Sequence, residues 1–577
     1  MQKIYKLLSV TTLLLLLFLC NIPVMYAQAT SKAGQSLLPQ IRQNGDVKQL
    51  FVDGKPFIML AGELHNSSAS DKEFMKPIWN KLAAMSLNTV VSTVSWELLE
   101  PEEGKFNFDL VDAQIVEAKK RNLHLVIIWF ASWKNGDSTY PPLWVKTNPE
   151  RFPVQKKTPL KEGKANMFYS FYGEARTLPL SPFGEASMLA EAKAFKTLMR
   201  HIKEVDPGHT VIMIQVDNEM GLLGDSRDRS PLADAAWEKE VPEGLINYFS
   251  KNKAALLPEM REVWGRNGYK TSGTWAEVFG KDEWAEEVFM AWNYSVYINK
   301  VILEGKAELN LPMYVNAWLG PQPGAELPGT WPSGGPVARV LDVWRAGAPS
   351  ADLLAPDIYV DDFKGTLALY ARSGNPLWIP EAKDQTGNLF WALGHHSALG
   401  FSVFGIDDLN ENCQLAKAYG TLSGILPQLS DWQAAGKVAG VLLLNGEEKQ
   451  VVSLGGYKVT ITKPRMFGQA QSDSDSEKKL LAGGISFDSR SMPDDNRPFG
   501  LVINTSPDEF LIIGSNISPA FAAETPGSAK VAVGTIDEGA YVKGSWKPGR
   551  RLNGDEAWPT LPKGKIGMLR IRLYQYK

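Results

Sequence analysis

Cysteine is nearly absent: the 577 residues hold only two, Cys20 and Cys413. Cys20 lies in a leader-like stretch, so the mature fold is expected to close without a disulfide, leaving Cys413 as a buried thiol rather than a nucleophile. An excess of either charge is also lacking. Lys and Arg number 61 and Asp and Glu 64, a formal net charge of −3, which argues against nucleic acid or an anionic membrane surface as partner. The N-terminal apolar run is too short for a comfortable bilayer span, and no other segment qualifies. The chain shows no glycine-rich phosphate cradle and no Ser–His–Asp ordering. Glu63 and His65 have no third ligand at metal spacing, and the Ser472–Glu477 run lacks the glycine and distal Glu of a calcium loop. No cofactor and no metal is expected.

What is present describes a large globular protein, with 44% hydrophobic and 22% charged residues. The length exceeds one hydrophobic core, so two domains are expected. Lys3 and Lys6 precede the apolar run Leu13–Leu19, and Ala27-Gln28-Ala29 offers small residues for cleavage. Residues 1–29 therefore read as a signal peptide, with a secreted or periplasmic product. Lipid attachment at Cys20 is disfavoured because no small residue precedes it. Aromatics make up 10% of the chain, with 18 Trp, which suits either a large core or a groove that stacks sugar rings.

A strand–helix rhythm organises residues 30–436. Strands are expected at Phe57–Glu63, Asn88–Trp96, His124–Phe130, Val211–Val216, Met313–Ala317, Leu353–Tyr359, Leu377–Glu381 and Gly400–Gly405. Helical spacing follows several of them, with Phe74, Ile78, Leu82 and Met85 on one face and Met188, Ala192, Phe195, Met199 and Ile202 on another. Eight apolar strands alternating with helices predict a (β/α)8 barrel. From residue 437 to 577 short strands separated by turns replace this rhythm: Val438–Leu444, Tyr457–Thr462, Gly500–Asn504, Phe510–Gly514 and Met568–Leu573. They predict an antiparallel sandwich-like domain.

In such a barrel chemistry sits at the C-terminal strand ends, where Glu63, Glu97, Asp217, Glu219, Asp357, Glu381 and Asp407 fall. The run Val211–Gly221 ends the fourth strand in Asp217-Asn218-Glu219, and Glu381 ends the seventh. Two carboxyl groups facing one bound ring are what glycoside cleavage needs: retaining at a separation of ~5 Å, inverting at ~6.5–9.5 Å. Glu219 is expected to be the proton donor, its pKa raised by burial and by Glu381, and Glu381 the ionised nucleophile. Asn218 is placed to hold the sugar 2-hydroxyl and Tyr359 to orient Glu381. Glu63 is expected to reach a sugar hydroxyl or the barrel floor. Trp96, Trp133 and Trp318 are the candidate sugar-binding aromatics.

Several of these segments resemble glycoside hydrolase family 35, the β-galactosidases of clan A: Gly62-Glu-Leu-His65, Trp96-Glu-Leu-Leu-Glu-Pro101, Glu103-Gly-Lys-Phe-Asn-Phe108 and Gln215-Val-Asp-Asn-Glu-Met-Gly221. The likeness covers roughly residues 50 to 430, and the remainder is similar to a β-rich domain of unknown function in a bacterial subgroup. It implies Glu219 as acid/base after an Asn, and Glu381 as nucleophile. The chain departs from the family pattern at Asn66, where Tyr is usual, and at Phe130-Ala-Ser-Trp133, where a sugar-directed carboxylate is replaced by Ser132. Ser92-Thr93 stand near a missing Tyr, and the insertion after the fourth strand is long.

The expected function is a secreted retaining exo-β-galactosidase acting on terminal β-galactosyl residues of plant-type glycans, xyloglucan side chains among them. A β-glucosidase or β-fucosidase pocket, or a barrel that only binds carbohydrate, are the alternatives. The expected partner is a carbohydrate substrate, with no nucleic acid and no membrane span; no oligomeric state is expected over another.

Overall fold

A computed structural model describes residues 37–158, 179–464, 494–525, 527 and 529–576. The leader-like residues 1–29 and the Ser472–Glu477 run lie outside them. Residues Leu38–Lys577 form one compact unit.

The chain enters through three antiparallel strands, β1 (Gln40–Asn44), β2 (Val47–Val52) and β3 (Lys55–Phe57). Eight parallel strands follow: β4 (Met59–Glu63), β5 (Thr89–Ser95), β6 (His124–Lys134), β7 (Val211–Asn218), β8 (Met313–Trp318), β9 (Leu353–Ile358), β10 (Glu381–Ala382) and β11 (Gly400–Phe401). Their order is β10-β9-β8-β7-β6-β5-β4-β11, and a parallel bridge from Ile379 to Phe401 joins the two ends of the sheet. The result is the expected (β/α)8 barrel. The seventh strand is shorter than expected. Pro380 has no N–H to give, so the residues before it bond only towards β11, through the Leu377 and Ile379 carbonyls.

Alternating side chains divide each strand between two cores. In β6, Val126, Ile128 and Phe130 fill the lumen with Met59, Val91, Met213, Tyr314 and Trp378, and Leu50 and Val52 of β2 close its floor. Leu125, Ile127 and Trp129 point outwards to the helices. Helix Lys72–Ala84, capped by Asp71, packs through Met75, Trp79 and Leu82. Phe74, expected on that stripe, is 58% exposed; it stands one residue, about 100°, away from the buried line. Helix Glu185–Val205 buries Ala192, Phe195, Met199 and Ile202 as expected from their spacing. The insertion after β7 is helical and ends in the 26-residue helix Glu283–Glu308. No helix among the described residues is long and apolar enough to cross a membrane.

The C-terminal part pairs a six-stranded antiparallel sheet with a three-stranded one. The first holds β12 (Val438–Leu442), β15 (Phe499–Ser506), β16 (Glu509–Ser515), β18 (Lys530–Val542), β19 (Ser545–Leu552) and β20 (Gly567–Tyr576). The second holds β13 (Lys449–Leu454), β14 (Tyr457–Thr462) and β17 (Ser518–Ala523). Val441, Val459, Ile461, Val502, Phe510 and Ile512 meet between the two sheets, which is a sandwich-like arrangement. The other face of the larger sheet shares its core with the barrel through Leu442, Phe499, Leu501 and Ile513.

Candidate active site

Four carboxylates and one ammonium group gather at the C-terminal mouth. Glu219 and Glu381 are each about 5% exposed. With Asp357 of β9, each offers a carboxylate oxygen, and these oxygens lie within 4.8 Å of one another. The Glu381 Oε2 accepts a hydrogen bond of 2.8 Å from the Tyr359 hydroxyl. An amide relay joins the neighbouring strands. Asn316 Nδ2 donates to Asp357 Oδ2 at 2.6 Å and to Asn218 Oδ1 at 3.0 Å, while Asn316 Oδ1 accepts from the Glu219 N–H. Gln215 Nε2 also donates to Asn218 Oδ1, at 2.9 Å.

The backbone at this strand end is strained. Asp217 has φ +55° and Glu219 φ +45°, left-handed values that cost an L-residue ~1–2 kcal/mol each. Strict alternation would carry Asp217 into the lumen after Met213 and Gln215. The left-handed turn instead sends its carboxylate outwards, where it accepts from the Trp133 N–H at 3.0 Å. Asn218 thereby returns to the interior beside Gln215 and Asn316.

Charge and burial set the proton distribution. Burial, then the charge of Glu381, push the Glu219 pKa up to about 7, against a lowering influence from Lys134. Asp357 and Glu63 are raised well above ordinary carboxyl values by burial and then by Glu381. Glu63 is fully enclosed, and neither of its oxygens has a hydrogen-bond partner among the described residues. For Lys134 burial works against the charge, but Glu381, Glu219 and Glu63 outweigh it and raise its pKa. Its Nζ lies 5.2 Å over the Phe130 ring. Three oxygens as close as those of Glu219, Asp357 and Glu381 could also seat a hard divalent cation, although Lys134 already brings positive charge to that place.

The sequence-expected residues divide into two groups. Glu219, Glu381, Asn218, Tyr359 and Glu63 are brought together by contact or charge. Trp318 ends β8 in register with Asp357 and is partly exposed, so an indole stands at the rim. Trp96 and Trp133 do not join them. Trp96 is fully buried, donates to Glu100 Oε2 at 2.8 Å and meets Trp144 edge-on. Trp133 is also fully buried, donating to the Leu180 carbonyl at 3.0 Å between Tyr294 and Tyr297. Neither offers a face to a sugar. Ser132 is likewise not a mouth residue: its hydroxyl turns outwards to Glu191 and to Tyr297. His65 pairs with Asp407, Nδ1 to Oδ1 at 2.9 Å, rather than joining Glu63 in a metal site.

Lys134 and Asn316 were not singled out from the sequence. Asn316 carried a usable signal, a lone amide in the buried run Met313–Ala317. Lys134 carried less, because it follows the bulge that ends β6. Replacing it by Met should lower kcat/KM for an aryl glycoside by on the order of 10²-fold, as for loss of one oriented polar group. It should also move the alkaline limb of kcat/KM above its wild-type position, because Lys134 holds the Glu219 pKa down. A limb unmoved in Lys134→Met would contradict that placement.

Residues 66–293 match the family model described as beta-galactosidase, of glycoside hydrolase family 42. Residues 415–559 match a domain of unknown function. A curated beta-galactosidase from Xanthomonas manihotis is 28% identical over 193 residues, 32% of this chain and 27% of that protein. The chain thus spans about a quarter of that relative's length. Among solved structures, the catalytic domain of a Paenibacillus polymyxa beta-amylase aligns at 14% identity over 61% of this chain and 93% of that one, TM-score 0.40. A Marinomonas ef1 beta-galactosidase aligns at 12% identity over 59% and 53%, TM-score 0.37. Barrel, mouth and family match together make the chain similar to the glycoside hydrolases. Within that class the matched segment is beta-galactosidase-like, and its match is to family 42 rather than to the expected family 35.

Proposed function

We propose that the chain is a retaining exo-β-galactosidase in which Glu381 is the nucleophile and Glu219 the acid/base. The carrying observation is the approach of their carboxylate oxygens to within 4.8 Å. An approach this close fits the short carboxyl separation of a retaining pair better than the wider one of an inverting pair. Glu381 attacks the anomeric carbon while Glu219 gives its proton to the departing oxygen, so the glycosidic bond breaks as the glycosyl ester forms. Esterification removes the charge that raised Glu219, and its lowered pKa lets it take a proton from water. The resulting hydroxide equivalent displaces Glu381 and releases the sugar with its original configuration. Asn218, fixed by Gln215 and Asn316, presents its amide to the 2-hydroxyl, and Tyr359 orients Glu381.

The finer assignments rest on the sequence. Membership of family 35 is supported by the Gly62–His65 and Trp96–Pro101 motifs, and secretion or periplasmic delivery by the leader-like residues 1–29. Terminal galactosyl groups of plant-type glycans, xyloglucan side chains included, are the proposed substrate. A second reading, a β-glucosidase or β-fucosidase, is favoured by Lys134 standing at the mouth while Ser132 faces away from it. Protein lacking residues 1–29, assayed side by side on aryl β-galactoside, β-glucoside and β-fucoside, tests both. Turnover should be fastest on the galactoside. A faster glucoside or fucoside would replace the sugar assignment, and no turnover on any would favour a carbohydrate-binding barrel.

A further inference from the structure

Behind the mouth, a second pair of acids is enclosed in the outer layer. Glu191 of the Glu185–Val205 helix and Asp217 of β7 are both fully buried. Glu191 Oε1 accepts from Trp129 Nε1 at 3.3 Å, and its Oε2 accepts from the Ser132 hydroxyl and from the Tyr297 hydroxyl at 3.0 Å. Asp217 Oδ1 accepts from the Trp133 N–H. Its Oδ2 has no hydrogen-bond partner among the described residues, and the Asp217 carboxyl is influenced by the Glu191 carboxyl and by the Trp133 and Ala131 N–H groups. The groups facing the pair are hydroxyls and N–H groups of β6 and of the Glu283–Glu308 helix, with Tyr294 and Tyr297 the nearby titratable ones.

The partners of both acids lie on one irregular stretch. Trp129 pairs with Val216 and Lys134 with Asn218, so β6 spends five steps (134 − 129) where β7 spends two (218 − 216). The three extra residues bulge outwards as Ala131–Trp133, held by Glu191 at Ser132 and by Asp217 at Trp133. Directly beyond the bulge, the Asn135 and Gly136 N–H groups bond the carbonyls of Asn218 and Glu219, at 3.3 and 3.1 Å. A bulge beside an active site commonly re-aims a side chain; here it delivers Lys134 to the mouth and fixes the left-handed residues that carry Glu219.

We infer that Glu191 and Asp217 share one proton as a carboxylic acid–carboxylate pair, and that this pair clamps the Ala131–Trp133 bulge and so positions Glu219 against Lys134 and Glu381. With both acids ionised the buried charges repel; with both neutral a donor hydrogen has no acceptor of its own. One proton satisfies the pair. Burial raises both, Glu191 to about 7 and Asp217 well above the ordinary carboxyl range. The inference rests on Glu219 being the acid/base for its catalytic half only.

Thermal unfolding without substrate tests the shared proton. A carboxyl raised in the fold holds a proton that the unfolded chain releases, so its contribution is complete below the unfolded value and fades as pH rises through about 7. Glu191→Gln keeps an acceptor and donors in place, and should remove about one proton from the pH dependence of unfolding between pH 5 and 7. An unchanged dependence would overturn the pair. The positioning half is read from kcat/KM and its pH profile. Glu191→Leu should lose roughly 100-fold on a poor-leaving-group galactoside, the scale of one mispositioned proton donor, and displace the alkaline limb, while Glu191→Gln should stay within roughly 3-fold. Wild-type activity and limb in Glu191→Leu would overturn the clamp. If Glu191→Leu does not fold, loss of activity in the folded Glu191→Gln overturns it instead. A wild-type chain inactive on every sugar would sink the acid/base reading, while the unfolding result would still judge the pair.

Discussion

Glu381→Ala should lower kcat/KM on an aryl β-galactoside by ~10⁴-fold or more, because the glycosyl ester needs an ionised carboxylate and burial raises the neighbouring Glu63, Asp357 and Glu219 towards the neutral acid. The loss should not depend strongly on the aglycone, since even a good leaving group needs an attacking atom. Removing the carboxyl leaves space on the α face of the sugar, and a small anion can enter it. Azide should therefore restore part of the activity and give the α-galactosyl azide. The pH profile should change as well: without the charge of Glu381, the second cause of its raised pKa, Glu219 should titrate below about 7. A β-azide from this variant would move the nucleophile elsewhere.

Glu219→Ala should fail in a different manner. Loss on substrates with poor leaving alcohols should reach ~10²–10⁴-fold, the range of general acid catalysis, and should be small for the first step with a dinitrophenyl leaving group. The second step still needs a base, so the glycosyl-enzyme should accumulate and KM should fall along with kcat. Azide needs no base, and attacking the ester from the opposite face should give the β-galactosyl azide. The alkaline limb near 7 should disappear. Persistence of that limb in Glu219→Ala, or equal losses on good and poor leaving groups, would assign the proton to another residue; Glu63 and Asp357, both raised, are the nearest candidates.

The barrel was legible because its strands are buried on both faces and therefore read as continuous apolar runs. Thr89–Ser95 and Val211–Asn218 need no help from tertiary structure to be seen as strands. The seventh was less so, since Pro380 breaks the ladder inside the apolar run that suggested it. The entry strands β1–β3 escaped notice because Gln40–Asn44 has almost no apolar side. The whole of β18 escaped for the same reason: its thirteen residues bury only Ile536. Strand-end position was enough to single out Glu219 and Glu381, because it needs only the order of the strands. Side-chain direction was not recoverable where the period fails. The Ala131–Trp133 bulge and the left-handed Asp217 break the alternation of two, so Ser132 and Trp133 were expected at the mouth and lie behind it, and Lys134 is there in their place. The same break explains Glu191, a helical acid whose partner is visible only once Asp217 is seen to turn outwards.

The central claim is double displacement by Glu381 and Glu219, and the anomer first released tests it most directly. Proton NMR of early time points on an aryl β-galactoside should show β-galactose appearing first, with the α anomer growing only at the rate of mutarotation. First appearance of α-galactose would mean that a water, not Glu381, attacks the sugar, and would contradict the account.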